Sequence, residues 1–487
     1  MKRFKPIAFF SLCLLFQSCT AGRDYQRPLL NVPQAFKEQP GWKPATPDGP
    51  RLEAAWWKMF ADPQLDALEA QIPANFSLAQ AEAQYRQSAA LVGNAWAAGL
   101  PRLNLTGTYN RFLSPTGQSP VFPGVRQIFN TALAATWELD LWGRIRRQIE
   151  AGEASAAASA ATRDALRLSL QAQLAQNYLQ LRTLDIEKRL LNDSVQVFRK
   201  TLELTRNRYD AGVVSKADVL QAETQLTSTE AQAIHLDIQR SQLEHALAVL
   251  IGKPPAELSL KASPTPIALP DLPATLPSTL LERRPDIAAA ERQMMAANAQ
   301  IGAARAAFFP NITLNANTGF QNNQIERLLT TASNYWALGP AAAALPLFEG
   351  GAKNTELKRS LAAYQASVAE YRQTVLSSFQ DTEDQLATLR VLAEEAQTLQ
   401  QTLKTARAAV QLTTHQYRAG TVSFENVLIA QTAALSNERQ ALDIEGKRLL
   451  AAVGLIKALG GGWNAGPHPP ATPETNPWRH YLPFPEG

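Results

Sequence analysis

The chain has 487 residues, of which 45% are apolar and 18% charged, and its formal net charge is +4. This apolar content excludes a disordered chain, which lacks the residues to bury a core. The mean hydropathy is -0.20 and no long apolar run follows the N-terminus, which excludes a helical membrane protein. Three positive charges are Lys2, Arg3 and Lys5, and without them the chain is almost neutral, so a nucleic-acid partner is not expected.

The first residues have the form of a secretion signal. Basic residues precede an apolar stretch, 7–16, that is too short to cross a bilayer. The stretch ends at Ser18-Cys19, which resembles the bacterial lipoprotein signal. That resemblance implies removal of residues 1–18, lipid attachment at Cys19 and, because Thr20 is not an aspartate, an outer-membrane address. An ordinary signal peptide followed by a chance cysteine is the alternative.

The prolines divide the chain into two similar blocks. No proline lies between Pro123 and Pro254, or between Pro346 and Pro467. Proline lacks a backbone N–H and clashes inside a helix, so long proline-free blocks favour long helices. The sequence therefore predicts two long helical hairpins.

Two pairs of segments show that the chain contains an internal duplication. Residues 204–215 resemble 412–423, and residues 78–101 resemble 287–310, at nearly the same offset. Each half is predicted to form a helix, two strands, a long helix, a turn and a returning helix.

The first long helix is expected to run from about Arg144 to Tyr209, because its apolar residues alternate steps of three and four. The seam positions are 181, 184, 188, 191, 195, 198, 202, 205 and 209, all apolar or aromatic except Lys188 and Thr205. At ~1.5 Å per residue this helix would be about 100 Å long.

Alternating apolar and polar residues predict four strands, at about 103–113, 128–141, 312–322 and 334–346, although the last alternates poorly. About ten residues is the length that a tilted strand needs to cross a bilayer. Aromatic side chains near the strand ends suit a membrane interface: Tyr109, Trp137, Trp142, Phe320 and Trp336. A soluble sheet with one buried face is the alternative. Four strands cannot close in a membrane, so these strands imply assembly with further copies.

Several spaced motifs together resemble the outer membrane factor family, and in particular the outer membrane lipoproteins of resistance-nodulation-division efflux systems. They are 24–28 (DYQRP), 56–65 (WWKMFADPQL), 137–143 (WELDLWG), 283–287 (RRPDI), 345–351 (LPLFEGG) and 417–420 (YRAG). The resemblance covers nearly the whole mature chain. It implies a mixed α and β membrane protein whose homotrimer forms a 12-stranded β-barrel and a periplasmic α-barrel of coiled-coil hairpins. Its partners would be outer-membrane lipid, a periplasmic adaptor and an inner-membrane pump.

This architecture divides the chain into six expected segments. They are a signal peptide (1–18), an extended periplasmic segment (19–61), a first repeat (62–253), a proline-rich linker (254–279), a second repeat (280–461) and a C-terminal periplasmic tail (462–487). A periplasmic adaptor and a purely structural coiled-coil lipoprotein are the alternative functions. The first would need one hairpin rather than two, and the second would leave the alternating strands without a purpose.

No enzyme chemistry is predicted. The five histidines are scattered without zinc-ligand spacing, Gly252-Lys253 lacks the upstream glycine of a phosphate loop, and no cofactor is expected. Glu138 and Asp140 lie on one strand face and are interpreted as charges of a barrel lumen.

The two hairpin tips are the candidate functional site, as the adaptor contact or as the gate of a closed entrance. Their residues are Tyr209, Gly212 and Ser215 in the first tip and Tyr417, Arg418, Gly420 and Ser423 in the second. The glycines are expected to end the long helices and the serines to cap the returning ones.

The second tip lacks the acidic residues that often close the entrance in relatives. Thr421 and Val422 stand at those positions, so an acidic gate is not expected there. Asp218 and Glu425 are expected on solvated helix faces. Arg418 stands opposite Asp210 in the repeat, a difference that would allow uneven, iris-like opening.

Overall fold

The structure is a computed structural model that describes residues 20–29, 33, 35–38, 54–114, 124–271 and 283–463. The predicted signal peptide, Cys19 and all but the first two residues of the predicted tail lie outside these ranges. Among the described helices, none has an apolar stretch of the length that crossing a bilayer requires.

The first half contains helices α1 (Pro63–Glu69) and α2 (Phe76–Ala98), strands β1 (Arg102–Ser114) and β2 (Gly124–Leu139), and helices α3 (Arg144–Asp210) and α4 (Lys216–Leu250). The second half contains α5 (Pro285–Ala306), β3 (Asn311–Asn322), β4 (Asn334–Ala344), α6 (Ala352–Arg418) and α7 (Phe424–Ala458). The duplication is visible in the lengths, because α3 and α6 each have 67 residues and α4 and α7 each have 35.

The four strands form one antiparallel sheet in the order β1-β2-β3-β4. The joint between the repeats is the β2–β3 pair, in which Trp137 lies opposite Leu314. β2 begins at Gly124, four residues before its predicted start, and ends at Leu139 rather than residue 141. It ends early because the side chain of Asp140 accepts hydrogen bonds from the first backbone amides of α3 and so turns the chain into the helix.

The predicted seam of α3 is buried at seven of its nine positions. These are Leu181, Leu184, Leu191, Val195, Phe198, Leu202 and Thr205. Lys188 remains at the seam because its ammonium pairs with Asp237 of α4. Tyr209 is 42% exposed, since the helix ends one residue later.

Each long helix packs against its returning helix, α3 with α4 and α6 with α7, and α3 also packs against α5 and α7 of the second half. One apolar core lies around the middle of α3, where Trp56, Leu65 and Tyr178 are almost completely buried. A second core lies near the tips and joins Phe198 and Leu202 of α3 to Phe424 of α7. The two hairpins therefore form one packed unit down to their ends.

Candidate functional site

The first hairpin tip has the left-handed backbone turn that was predicted at its glycine. Gly212 has a φ of 70°, its N–H donates to the Tyr209 carbonyl at 2.8 Å, and the Val213 N–H donates to the Arg208 carbonyl at 2.8 Å. This pair of bonds satisfies the last carbonyls of α3 in a Schellman motif. α4 then starts with a reciprocal cap: the Asp218 N–H donates to Ser215, and the Ser215 N–H donates to the Asp218 carboxylate. Asp218 is thus a capping residue, not merely a charge on a solvated face.

The second tip repeats the glycine turn but not the serine cap. Gly420 has a φ of 80°, and the Gly420 and Thr421 amides donate back to the Tyr417 and Gln416 carbonyls, both at 3.0 Å. Ser423 occupies the cap position of α7, yet its hydroxyl accepts no bond from the helix backbone. It accepts instead from the side-chain amide of Asn426 at 3.1 Å. The second tip therefore lacks one constraint that the first tip has.

Arg208 connects the two tips. Its Nη1 donates to the backbone carbonyl of Tyr417 at 2.5 Å, and its guanidinium carbon lies 4.6 Å from the centre of the Tyr417 ring. A cation over an aromatic face and a charged donor on a carbonyl are both attractive, the first worth ~0.5–2 kcal/mol and the second ~1.5–3 kcal/mol. The Tyr417 ring is 3% exposed and packs edge-on against Phe424 at 5.6 Å. This Arg208–Tyr417 contact fixes the end of α6 against the end of α3.

The remaining tip charges face solvent. Arg418 and Asp210 are both exposed, and neither forms an ion pair with any residue that the structure describes. Arg206 pairs with Glu223 at 3.4 Å, but both belong to the first hairpin. Of the seven predicted tip residues, the structure places Tyr417 in the contact between hairpins and leaves Arg418 outside it.

The face of the sheet that carries Leu103, Leu105 and Leu133 is exposed and apolar. Their side chains are 66%, 76% and 44% exposed, and Leu105 lies directly opposite Leu133. Trp336 and Leu338 extend this surface onto β4 with 77% and 84% exposure. A contiguous apolar surface of this kind indicates contact with protein or membrane rather than with water.

The predicted aromatic residues do not share one environment. Tyr109 is half-exposed and packs against Phe129 with ring centres 4.8 Å apart. Trp137 donates to the Gly99 carbonyl at 2.9 Å, while Trp142 donates to the Pro310 carbonyl at 2.8 Å and stacks on Phe309. Phe320 is half-buried on β3. Trp137 and Trp142 thus connect strands to helix ends, whereas the Trp336 side chain is exposed.

Glu138 and Asp140 lie at the junction of β2 and α3, each with its own arginine. Glu138 pairs with Arg144 at 2.5 Å, and Asp140 pairs with Arg146 at 3.4 Å while capping the helix. Both carboxylates are therefore occupied within the protomer. Their role in setting the charge of a lumen stays a prediction.

The segment that follows Cys19 is attached to the same junction. The Ala21 amide donates to the Trp142 carbonyl at 2.9 Å. Arg147, 4% exposed, donates to the Ala21 carbonyl at 3.3 Å and pairs with Asp24 at 2.8 Å. Further along, Arg27 forms a two-bond pair with Glu291 of α5. Residues 21–27 are thus fixed beside the ends of the strands.

Sequence reasoning missed Arg208 and Arg147. Arg208 lies within the duplicated tip segment, but its repeat equivalent is Gln416, so the repeat pattern gave no signal for it. Arg147 is one of several arginines at the start of α3, and only the fold brings it to Asp24. Among the described residues, no group of three or more histidine, cysteine, aspartate or glutamate side chains is placed to hold a metal ion.

Known proteins are similar to this one along nearly its whole chain. The family model described as "Outer membrane efflux protein" matches residues 68–253 and 276–461. The pyoverdine export outer membrane protein OpmQ of Pseudomonas aeruginosa is 32% identical over 469 residues, which cover 95% of this chain and 98% of the relative. The probable outer membrane lipoprotein SilC of Salmonella typhimurium is 29% identical, with 95% and 100% covered.

Solved structures show the same architecture. The outer-membrane channel OprN superposes with a TM-score of 0.85 at 30% identity, covering 91% of this chain and all of that one. CusC superposes with a TM-score of 0.80 at 26% identity, again covering 91% and 100%.

Proposed function

Because the chain belongs to the outer membrane efflux protein family, we propose that it is the passive exit duct of a tripartite pump, assembled as a homotrimer and opened at its hairpin tips. It is an outer membrane protein that acts in efflux. The finer parts of the proposal are the trimer, the 12-stranded barrel, the lipid anchor at Cys19 and the gate.

The observation that carries the proposal is a sheet with two open edges above two long hairpins. Among the residues that the structure describes, β1 and β4 each have one neighbouring strand, while the exposed face of the sheet is apolar. Unpaired strand edges are not tolerated in hydrocarbon, so a sheet in the bilayer must close with other copies. Three copies give twelve strands, a number within the range of bacterial barrels. The hairpins, with long helices of 67 residues, would continue the duct for about 100 Å.

The Arg208–Tyr417 contact supports the tips as the gate. It joins the ends of both hairpins within one protomer, and the second tip lacks the serine cap of the first. If the second hairpin moves while the first stays, this contact must break, together with the packing of Phe424 against α3. A periplasmic adaptor that binds the tips would open the entrance by offering Arg208 or Tyr417 another partner.

The N-terminal contacts support the lipid anchor. Ala21 is fixed to Trp142 where the strands meet the helices, so a lipid on Cys19, two residues earlier, would start beside the predicted membrane boundary.

The proposal is tested in a strain that lacks its own outer membrane efflux channel. Expression of this chain together with the cognate adaptor and pump is expected to lower drug susceptibility. The chain should fractionate with the outer membrane as a detergent-requiring oligomer that heat dissociates. A soluble periplasmic protein, or an inserted oligomer without any effect on efflux, would overturn the proposal.

A further inference from the structure

A single arginine lies on the exposed apolar face of the sheet. Residues two apart in a strand share a face, and β1 pairs with β2 without a register shift, so Arg111 lies on the face that carries Leu103 and Leu105. Among the described residues of the four strands, Arg111 is the only charged one on this face. Its side chain is exposed and forms no ion pair with any residue that the structure describes.

The cross-strand pairs on either side of Arg111 are apolar. Tyr109 lies opposite Phe129 toward the helices, and Leu113 lies opposite Val125 toward the far end of the strands. Leu113 and Val125 are 70% and 62% exposed. A charge among apolar side chains loses its water when the face is covered, and it is tolerated there when an opposite charge pairs with it. Arg111 therefore needs an anion that the described part of the protomer does not supply.

The height of Arg111 in the sheet indicates where that anion comes from. The inference rests on the proposed function, in which the apolar face meets the bilayer and the helices extend into the periplasm. Arg102 begins β1 at the helix end, nine residues before Arg111. At ~3.4 Å per residue and a tilt of about 40°, nine residues rise roughly 23 Å, close to the apolar band of about 25 Å in outer-membrane barrels. Arg111 thus lies level with the headgroups of the outer leaflet.

We propose that Arg111 binds a phosphate group of lipid A, the phosphorylated glycolipid of the outer leaflet. A guanidinium donates two parallel N–H bonds to a phosphate, and this fork gives the contact its direction. The acyl chains of the same lipid lie along the apolar face between Arg111 and the helices, over Tyr109 and Leu105.

Gln127 adds a second donor to the site. It lies directly opposite Arg111 on β2, and its side-chain amide donates to the Asn323 carbonyl at 3.2 Å. An amide NH₂ has two hydrogens, so the second is available to a phosphate oxygen. The bond to Asn323 holds Gln127 against the connection between β3 and β4 and so fixes the position of this donor.

The test measures lipid binding to the purified wild-type oligomer in detergent by native mass spectrometry. The probes are lipid A with both phosphates, the same lipid after enzymatic removal of its phosphates, and inorganic phosphate. Intact lipid A is expected to bind, and removal of its phosphates is expected to weaken binding about tenfold, as loss of a charge-assisted hydrogen bond does. Inorganic phosphate at the same concentration should not displace the lipid, because it lacks the acyl chains.

Variants locate the site. Arg111→Gln is expected to bind intact lipid A about tenfold more weakly and to lose the preference for its phosphates. Arg111→Lys keeps the charge without the fork and should fall between the two. Arg102→Gln is the matched control, because Arg102 is an exposed arginine of the same strand at its other end and on its polar face, and this variant should bind like the wild type.

Failure of the wild type to bind intact lipid A, or equal binding of intact and dephosphorylated lipid A, overturns the inference, and neither result depends on whether a variant assembles. Wild-type binding by Arg111→Gln, or equal loss in Arg111→Gln and Arg102→Gln, overturns it as well. In these cases a wild type that inserts as an oligomer and supports efflux leaves the proposed function standing. Absence of both oligomer and efflux in the wild type would instead refute the proposed function.

Discussion

The guanidinium of Arg208 covers the Tyr417 ring at 4.6 Å and donates to the carbonyl of the same residue, although the two residues belong to different hairpins. Tyr417 also packs edge-on against Phe424 of α7. Because the exposed tip charges Arg418 and Asp210 form no ion pair with a described residue, this contact is the clearest constraint between the tips.

Removal of this constraint should loosen the entrance. Arg208→Ala loses the cation–π contact and the carbonyl bond, together worth about 2–5 kcal/mol per protomer. Cells that carry the variant are expected to become several-fold more sensitive to an antibiotic too large for general porins. Arg206→Ala is the matched control, because Arg206 pairs with Glu223 only within its own hairpin. Equal sensitivity of the two variants would argue against a gate at Arg208.

A substitution at Gly420 tests whether the second tip needs its left-handed turn. Its φ of 80° lies in the left-handed region, where a β-branched residue costs about 1–3 kcal/mol. Gly420→Val should therefore reduce efflux, measured as drug susceptibility, while membrane insertion continues. Ala419→Val places the same side chain on the preceding residue, which is exposed and has a φ of -75°, and should leave efflux unchanged. Normal efflux by a correctly inserted Gly420→Val oligomer would contradict this role.

Lipid attachment at Cys19 can be tested by removing the sulfur atom that would carry the lipid. Cys19→Ala removes the sulfur that would carry the lipid, so labelled palmitate should no longer be incorporated. Cys13→Ala is the control, because Cys13 lies in the predicted signal peptide and labelling should persist. Unchanged labelling of the Cys19→Ala variant refutes attachment at that residue.

The buried carboxyl group of Glu69 is expected to make the free energy of unfolding depend on pH. It is 2% exposed, neither carboxylate oxygen has a hydrogen-bond partner among the described residues, and burial, with the charge of Asp66 adding to it, raises its pKa to about 9. The folded protein therefore holds a proton that the unfolded chain releases, and stability should fall as pH rises from the ordinary glutamate range toward 9.

Glu69→Gln removes this titration. At pH 8 the variant should unfold several degrees higher than the wild type, and at pH 5 the two should unfold at nearly the same temperature, as measured by loss of helical circular dichroism. Glu257→Gln changes an exposed carboxylate and should shift neither value. A difference that stays constant between pH 5 and pH 8 would contradict the assignment.

The repeat, the hairpins and the strands could be predicted because each leaves a periodic signal in the sequence. Gly212 and Gly420 were found because a left-handed position favours glycine, and Ser215 because caps have few acceptable residues. The cap of Asp140 on α3 and the contact of Arg208 with Tyr417 left no such signal. Both depend on where separate elements meet in space, which neither spacing nor composition encodes.

The central claim is that the chain forms a passive duct closed at its tips, and single-channel recording of the purified oligomer in a planar lipid bilayer tests it most directly. The Arg208→Ala oligomer is expected to carry discrete, ohmic currents several times larger than those of the wild type. An inserted Arg208→Ala oligomer that passes no current would contradict the claim.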